Sequence, residues 1–313
     1  TATAINLTAG SYTCTVTDVN GCSTNTSVTI TQPVAALTAV ISAQTNVLCF
    51  GNSTGSGTAS AIGGTAPFTF SWNTFPVQTT ANVTGLAAGS HTCTITDANG
   101  CITSVNVTIT QPAATMDVTA SITPAACQGA NNGAVNATVT GGTGAYTYVW
   151  NGPNGFTANT QDIAGIEAGA YNLVTTDANG CTHTSNWNVN QPGLFTLSGI
   201  TSNYTGGVQV SCIGATDGSI DISVSGATPP YTYLWTGPSG YTNSVQDISG
   251  LAAGTYTFIV TDANGCSTSQ TFTLNVPTPF NISLSGADQG GGFNIACNGG
   301  DNGSIDATAT GGS

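Results

Sequence analysis

Lysine and arginine are both absent from this 313-residue chain, which carries thirteen acidic residues and two histidines for a net charge of −13. Nucleic-acid binding draws most of its affinity from cations that displace phosphate counterions, so it is excluded, as is attraction to anionic membrane surfaces. Phosphate clamps, arginine fingers and Schiff-base lysines are likewise unavailable, which removes most phosphoryl-transfer and aldolase chemistry. A protease that cuts only after basic residues finds no site, and no Lys-to-Asn isopeptide bond can form. Long apolar runs are missing too: none approaches the roughly 20 residues needed to span a bilayer. No basic stretch followed by an apolar core opens the chain, so targeting signals are expected to lie outside this sequence.

What remains is a polar surface of Thr, Ser, Asn, Gln and Gly, with 41 glycines and ten cysteines. Cytosolic thiols are kept reduced, so cysteines at regular spacing and without metal-binding patterns predict an oxidising, extracellular compartment.

The regularity is a repeat. Ala9–Cys22 (AGSYTCTVTDVNGC) returns at Ala88–Cys101, Ala168–Cys181 and Ala253–Cys266, with Asp18, Asp97, Asp177 and Asp262 marking the period. A cysteine followed by a polar, Gly-rich turn recurs at Cys49, Cys127, Cys212 and Cys297. An aromatic strand ends at Trp72, Trp150 and Trp235, and a proline closes each unit at Pro33, Pro112, Pro192 and Pro277. These landmarks predict complete repeats at 34–112, 113–192 and 193–277, flanked by the C-terminal half of a repeat at 1–33 and the N-terminal half of another at 278–313.

Tyr12, Cys14 and Val16 alternate with Thr13, Thr15 and Thr17, the period of a half-buried strand. Asp-Ala-Asn-Gly reads as a hairpin turn, and no window has helical periodicity. The expected fold class is therefore all-β: tandem immunoglobulin-like β-sandwich repeats of about 80 residues, each with one disulfide. Two packing devices fit it: the Trp of a central strand, and the Tyr of Ala-Gly-Xaa-Tyr, which resembles a tyrosine corner.

Spacing predicts the pairs Cys49–Cys101, Cys127–Cys181 and Cys212–Cys266, one per complete repeat. Loops of that size would stabilise the fold by about 4 kcal/mol each in the chain-entropy model. Cys22 and Cys297 have no in-chain mate on this reading. Cys14 and Cys93 align with Leu173 and Phe258 and read as buried thiols acting as small hydrophobes; the spacings of zinc sites are absent.

No catalytic, cofactor-binding or metal-ligating residues are assigned, and the chain is read as non-enzymatic. His91 aligns with Tyr12, Tyr171 and Tyr256 and so fills an aromatic position, while His183 follows a turn. The turn aspartates, with Asp217, Asp221, Asp301 and Asp306, offer oxygens to calcium, but Asp at a turn commonly caps its own backbone, and the question stays open. Phe75, Phe156 and Tyr241 could stack on sugars, although single aromatics make poor pockets.

The combined motif, GxYTxxVTDANGC followed eleven residues on by Gln-Pro and preceded by a Cys turn and Gly-Gly-Thr-x-x-Tyr-x-Tyr-x-Trp, resembles the SprB-type repeat of Bacteroidota cell-surface proteins. Val276 in place of Gln and His91 in place of Tyr depart from it. The resemblance implies a very long adhesin at the cell surface, exported by the type IX system and acting in gliding motility or attachment. In that setting these repeats would form a stalk whose partners are neighbouring repeats of the same long chain. Two rival readings remain: repeats that each grip extracellular polysaccharide, and subunits of a self-assembling filament whose half-repeats complete each other between chains.

Overall fold

In the computed structural model, which describes residues 3–288, 292, 294 and 297–312, the chain is all β apart from two single-turn 3-10 segments, Pro153–Gly155 and Pro238–Gly240. Three hydrophobic cores follow one another along the chain, drawing their residues from 39–109, 118–189 and 195–276.

Each core lies between two antiparallel sheets. In the first sandwich, Thr38–Thr45, Gly55–Ile62 and Asn82–Leu86 form one sheet in that spatial order, and Thr69–Trp72, Gly89–Thr96 and Ile102–Ile109 form the other. The second sandwich repeats the plan with Asp117–Thr123, Gly133–Thr140 and Ile163–Ile166 against Thr147–Asn151, Gly169–Thr176 and Thr182–Val189, to which the short strand Thr157–Ala158 is added. The third does the same from Thr196–Thr201 to Ser267–Leu274. This is an immunoglobulin-like arrangement of three strands facing three or four. Two hairpins lie at the two ends, Gly10–Thr17 with Ser23–Ile30 and Thr278–Gly286 with Ile305–Gly312.

In the three sandwiches the alternation seen in the sequence is the burial pattern of the strands, whereas the strands of the two terminal hairpins, Gly10–Thr17 with its Tyr12, Cys14 and Val16 included, stay largely exposed. Gly169–Thr176 buries Tyr171, Leu173, Thr175 and turns the intervening residues outward. Trp72, Trp150 and Trp235 sit at the centre of the three cores, and each buried indole N–H donates to a backbone carbonyl: Thr80 (3.0 Å), Thr160 (2.9 Å) and Val245 (3.1 Å). That bond removes the cost of burying an unpaired donor. Tyr171 and Tyr256 donate their hydroxyls to the carbonyls of Glu167 (2.9 Å) and Ala252 (3.0 Å), four residues upstream, which is the tyrosine-corner geometry. His91 occupies the same corner, with Nε2 3.0 Å from the Ala87 carbonyl. Cys93 is fully buried at the position of Leu173 and Phe258, and burial pushes its thiol pKa up, which keeps it protonated and inert. Cys14 is exposed, so the expectation that it is buried does not hold.

One glycine pair shows how tightly the sandwiches close. Gly141 and Gly226 have φ of +70° and +83°, and a Cβ there would fall 1.9 Å from the Thr115 carbonyl oxygen and 1.8 Å from that of Leu194.

The cysteine pairing differs from the one the spacing suggests. Cys49 is joined to Cys181 and Cys127 to Cys266, each with Cα atoms 5.7 Å apart, while Cys101 and Cys212 are exposed free thiols. Each bond therefore links one sandwich to the next. The pairs Cys49–Cys101, Cys127–Cys181 and Cys212–Cys266 are corrected for a geometric reason. The turn holding Cys49 sits where strand Ile102–Ile109 ends, since Val47 N–H donates to Thr110 O at 2.9 Å. Cys101 lies where that strand begins. Eight residues of extended chain separate them, roughly 26 Å, and a disulfide tolerates a Cα separation of only about 4.4–6.8 Å.

Candidate functional site at the sandwich junctions

The junction is built from two turns, one from each neighbour. The forward turn follows the first strand of a sandwich and carries Cys49 or Cys127. It is closed by Asn52 N–H donating to Cys49 O and Ala130 N–H to Cys127 O, both at 3.1 Å. The glutamine of the Gln-Pro pair braces it from the far end of the same sandwich: Gln111 Oε1 accepts from Gly51 N–H (2.9 Å) and Gln191 Oε1 from Gly129 N–H (2.8 Å). The sequence showed this glutamine only as a landmark. Where Val276 replaces it, Gln209 ties that end by accepting from Asn275 N–H at 3.1 Å.

The backward turn is Asp-Ala-Asn-Gly-Cys, organised by its aspartate. Asp177 Oδ1 accepts from the N–H groups of Asn179 (2.9 Å) and Cys181 (2.8 Å), and Oδ2 accepts from Thr143 (2.9 Å). Asp262 repeats the set with Asn264, Cys266 and Thr228, and Asp97 with Asn99, Cys101 and Thr65. The hydrogen bond from Cys101, with those from Thr65 and Asn99, holds the Asp97 carboxyl below its ordinary range. For Asp177, burial works upward, but four backbone N–H donors outweigh it and the net shift is downward. These carboxylates are occupied in folding their own turns. Among the described residues no group of three or more acidic, His or Cys side chains is placed to hold a metal.

The two turns meet across the junction. Asn179 Nδ2 donates to Thr143 Oγ1 (2.9 Å) in its own sandwich and to the Leu48 carbonyl (3.0 Å) in the preceding one. Asn264 Nδ2 does the same with Thr228 Oγ1 (3.1 Å) and the Ala126 carbonyl (2.9 Å). The side-chain amide thus fixes the register in which the cysteines face each other. A cleft of about 360 Å³ lies beside the first bond, lined by Cys49, Phe50, Pro112, Met116, Asp177 and Cys181. A similar one flanks Cys127 and Cys266. His183 stands 3.9 Å from Asp117 at the edge of the first.

The remaining candidates are dispersed. Phe156 packs edge-on against Tyr171 and Tyr241 against Tyr256, with ring centroids 5.5 and 5.4 Å apart, so both are used inside their own sandwich. Phe75 is fully exposed and stands apart from them. Asp217 caps the Cys212 turn through Ser211 N–H at 3.1 Å.

Against known proteins, the family model described as "SprB repeat" matches at four places, residues 41–75, 119–155, 208–240 and 294–313. No curated protein matches at a significant level. Among solved structures, the chain is similar to a tetra-tandem repeat in the extending region of a large adhesion protein, at 16% identity over 87% of this chain and 83% of that one, with a TM-score of 0.30. It is also similar to Dpr2 Ig1-Ig2 in complex with DIP-Theta Ig1-Ig3 (13%, 76% and 99%, TM-score 0.29) and to domains 7, 8 and 9 of the S-layer protein SbsC (13%, 66% and 78%, TM-score 0.22). At these scores nothing about function is read from the three structures.

Proposed function

We propose that this chain, which carries SprB repeats at four places, is a mechanical spacer: a stalk segment of a secreted cell-surface adhesin, serving attachment or gliding motility. The observation that carries the reading is the pair of disulfides that cross from one sandwich to the next. A module that works by gripping a ligand gains nothing from a covalent bond to its neighbour, whereas a spacer gains a junction that cannot open like a hinge. In the chain-entropy model, closing a loop of 132 or 139 residues stabilises the folded state by about 5 kcal/mol for the first such bond. The units of this spacer are the repeats at 34–112, 113–192 and 193–277, with half-repeats at 1–33 and 278–313, and its partners are neighbouring repeats. Export by the type IX system and a Bacteroidota source fit the family and belong to this proposal. The chain is assigned no catalytic role.

The test is attachment of producing cells under flow. Replacing Cys49, Cys127, Cys181 and Cys266 by Ser should leave surface display intact and lower the shear at which cells detach. Unchanged attachment by the variant, together with binding of the purified repeats to a polysaccharide array, would sink the spacer reading in favour of ligand-binding modules.

A further inference from the structure

We propose that the surface around Cys212 is the receiving half of a third inter-repeat bond, and that its occupant is the Asp-Xaa-Asn-Gly-Cys turn of another repeat of this kind. Cys101 presents the complementary half. The inference rests on junction geometry and stands whether or not the repeats bear tension.

The two occupied junctions define what such a surface looks like. One wall is the cysteine turn of a sandwich, the floor is the proline that ends it, and the opposite wall is the first strands and the aspartate turn of the next. At Cys212 every part is present except the last. The cleft there is lined by Ser211, Cys212, Ile213, Pro277, Phe280 and Gly312, the positional counterparts of Leu48, Cys49, Phe50, Pro112, Met116 and Gly142. What the first junction adds is Asp177, Gly180 and Cys181, and among the described residues of 278–312 none takes their place in the cleft. Burial follows the same division. Met116 is 7% exposed in its occupied junction, whereas its counterpart Phe280 is 63% exposed. Cys49, Cys127, Cys181 and Cys266 are half-buried, while Cys212 is exposed.

The local fold of the Cys212 turn already matches its bonded relatives. Ala215 N–H donates to Cys212 O at 3.1 Å, as Ala130 does to Cys127 O. The acceptor for an incoming asparagine amide would be the Ser211 carbonyl, in the place of Leu48 O and Ala126 O. The donor half is equally preformed at Cys101. There, Asp97 closes the turn and Asn99 Nδ2 reaches Thr65 Oγ1 at 2.9 Å, the intra-sandwich bond that Asn179 also makes, but among the described residues it makes no second bond to a neighbouring carbonyl. Residues 1–33 hold no cysteine turn of the forward kind to meet it.

Bond formation needs a disulfide oxidant. The Cys212 thiolate attacks one sulfur of the oxidant, forming a mixed disulfide and releasing one thiol. The thiolate of the incoming cysteine then displaces the second. One S–S bond forms in the protein, two S–H protons are lost, and the oxidant's S–S bond is reduced to two thiols.

The test extends the whole chain. Ser313 follows Gly311-Gly312 as Thr143 follows Gly141-Gly142, so appending a second copy of residues 144–192 after Ser313 supplies the missing turn in register; appending residues 229–277 does so with an independent sequence. Both chains are equilibrated with glutathione disulfide, alkylated, cut with proteases acting at Asp and at aromatic residues, and mapped without reduction. Expected is loss of alkylation at Cys212 in at least one extended chain, with a peptide joining Cys212 to the appended cysteine. Replacing that cysteine by Ser should restore alkylation at Cys212 and leave Cys49–Cys181 and Cys127–Cys266 in place. Cys212 alkylated in both extended chains, or joined to Cys266, overturns the proposal.

Discussion

The interleaving of the two disulfides sets a hard limit on how far the three sandwiches can be drawn out, and a pair of cysteine variants separates this pairing from the alternative. Consider handles placed beside Val34 and Pro277. With no staples, 243 residues lie between them, which at about 3.6 Å per residue extend to about 870 Å. With both bonds intact, the shortest covalent path runs from Val34 to Cys49, across to Cys181, back along the chain to Cys127, across to Cys266 and on to Pro277. Its three stretches contain 15, 54 and 11 residues, so the fully unfolded assembly stops at 80 residues, about 290 Å. A wild-type measurement alone does not decide the matter, because three intra-repeat bonds would leave 83 residues. The double variant Cys101→Ser, Cys212→Ser does. Both residues carry free thiols, so the limit should stay at about 290 Å. If instead each were bonded within its own repeat, two loops of 52 and 54 residues would be released and the limit would rise to 189 residues, about 680 Å. Single-molecule force spectroscopy without reductant resolves a difference of that size easily. A lengthening of the double variant by hundreds of ångströms would refute the inter-sandwich pairing and the reasoning built on it. The complementary variant, Cys181→Ser with Cys266→Ser, should reach the full 870 Å.

Four further outcomes test the sandwich itself. Trp150→Ala removes a fully buried indole and should cost about 3–5 kcal/mol in chemical denaturation, as large cavities in a core do. Tyr171→Phe deletes only the bond to the Glu167 carbonyl and should cost about 1 kcal/mol, with His91→Tyr leaving the first sandwich as stable or more so. Gly141→Ala must put a side chain at φ +70° against a carbonyl 1.9 Å away; the melting temperature should drop well beyond the ~1 kcal/mol that left-handed backbone alone costs. Finally, the lowered pKa values of Asp97 and Asp177 mean that the folded state binds fewer protons than the unfolded one at low pH. Their contribution is complete above the ordinary carboxylate pKa near 4 and is lost as pH falls through the depressed folded values. Melting temperature should therefore hold constant from neutral pH to about 5 and decline below 4, and Asp177→Asn should flatten that decline.

Much of each sandwich was legible along the chain because its causes are local. Period-two alternation marks the strands, Asp-Ala-Asn-Gly dictates a turn through the aspartate's own backbone bonds, and Trp150 and Tyr171 recur where a packed sheet needs an indole and a corner. The substitution of His91 for tyrosine could be placed for the same reason, since only a ring with a polar tip can reach the Ala87 carbonyl. Cys14 was misjudged because its burial depends on whether a second sheet covers the hairpin Gly10–Thr17, which alternation alone does not tell. The role of Gln111 and Gln191 was invisible because the backbone N–H groups that donate to them lie 60 and 62 residues away in sequence.

The sequence by itself determined the strands, the turns, the composition of three cores and the absence of any permanent cation, all of which depend on residues within a few positions of one another. Only the tertiary structure decided what the cysteines join. An eight-residue strand places Cys101 at one end of its sandwich and Cys49 at the other, and the short connection through Pro112 brings the next sandwich's Asp177 turn to the Cys49 end. The partner is therefore chosen by which ends of successive sandwiches meet, a matter of strand direction and linker length that the spacing of 52 to 54 residues does not encode.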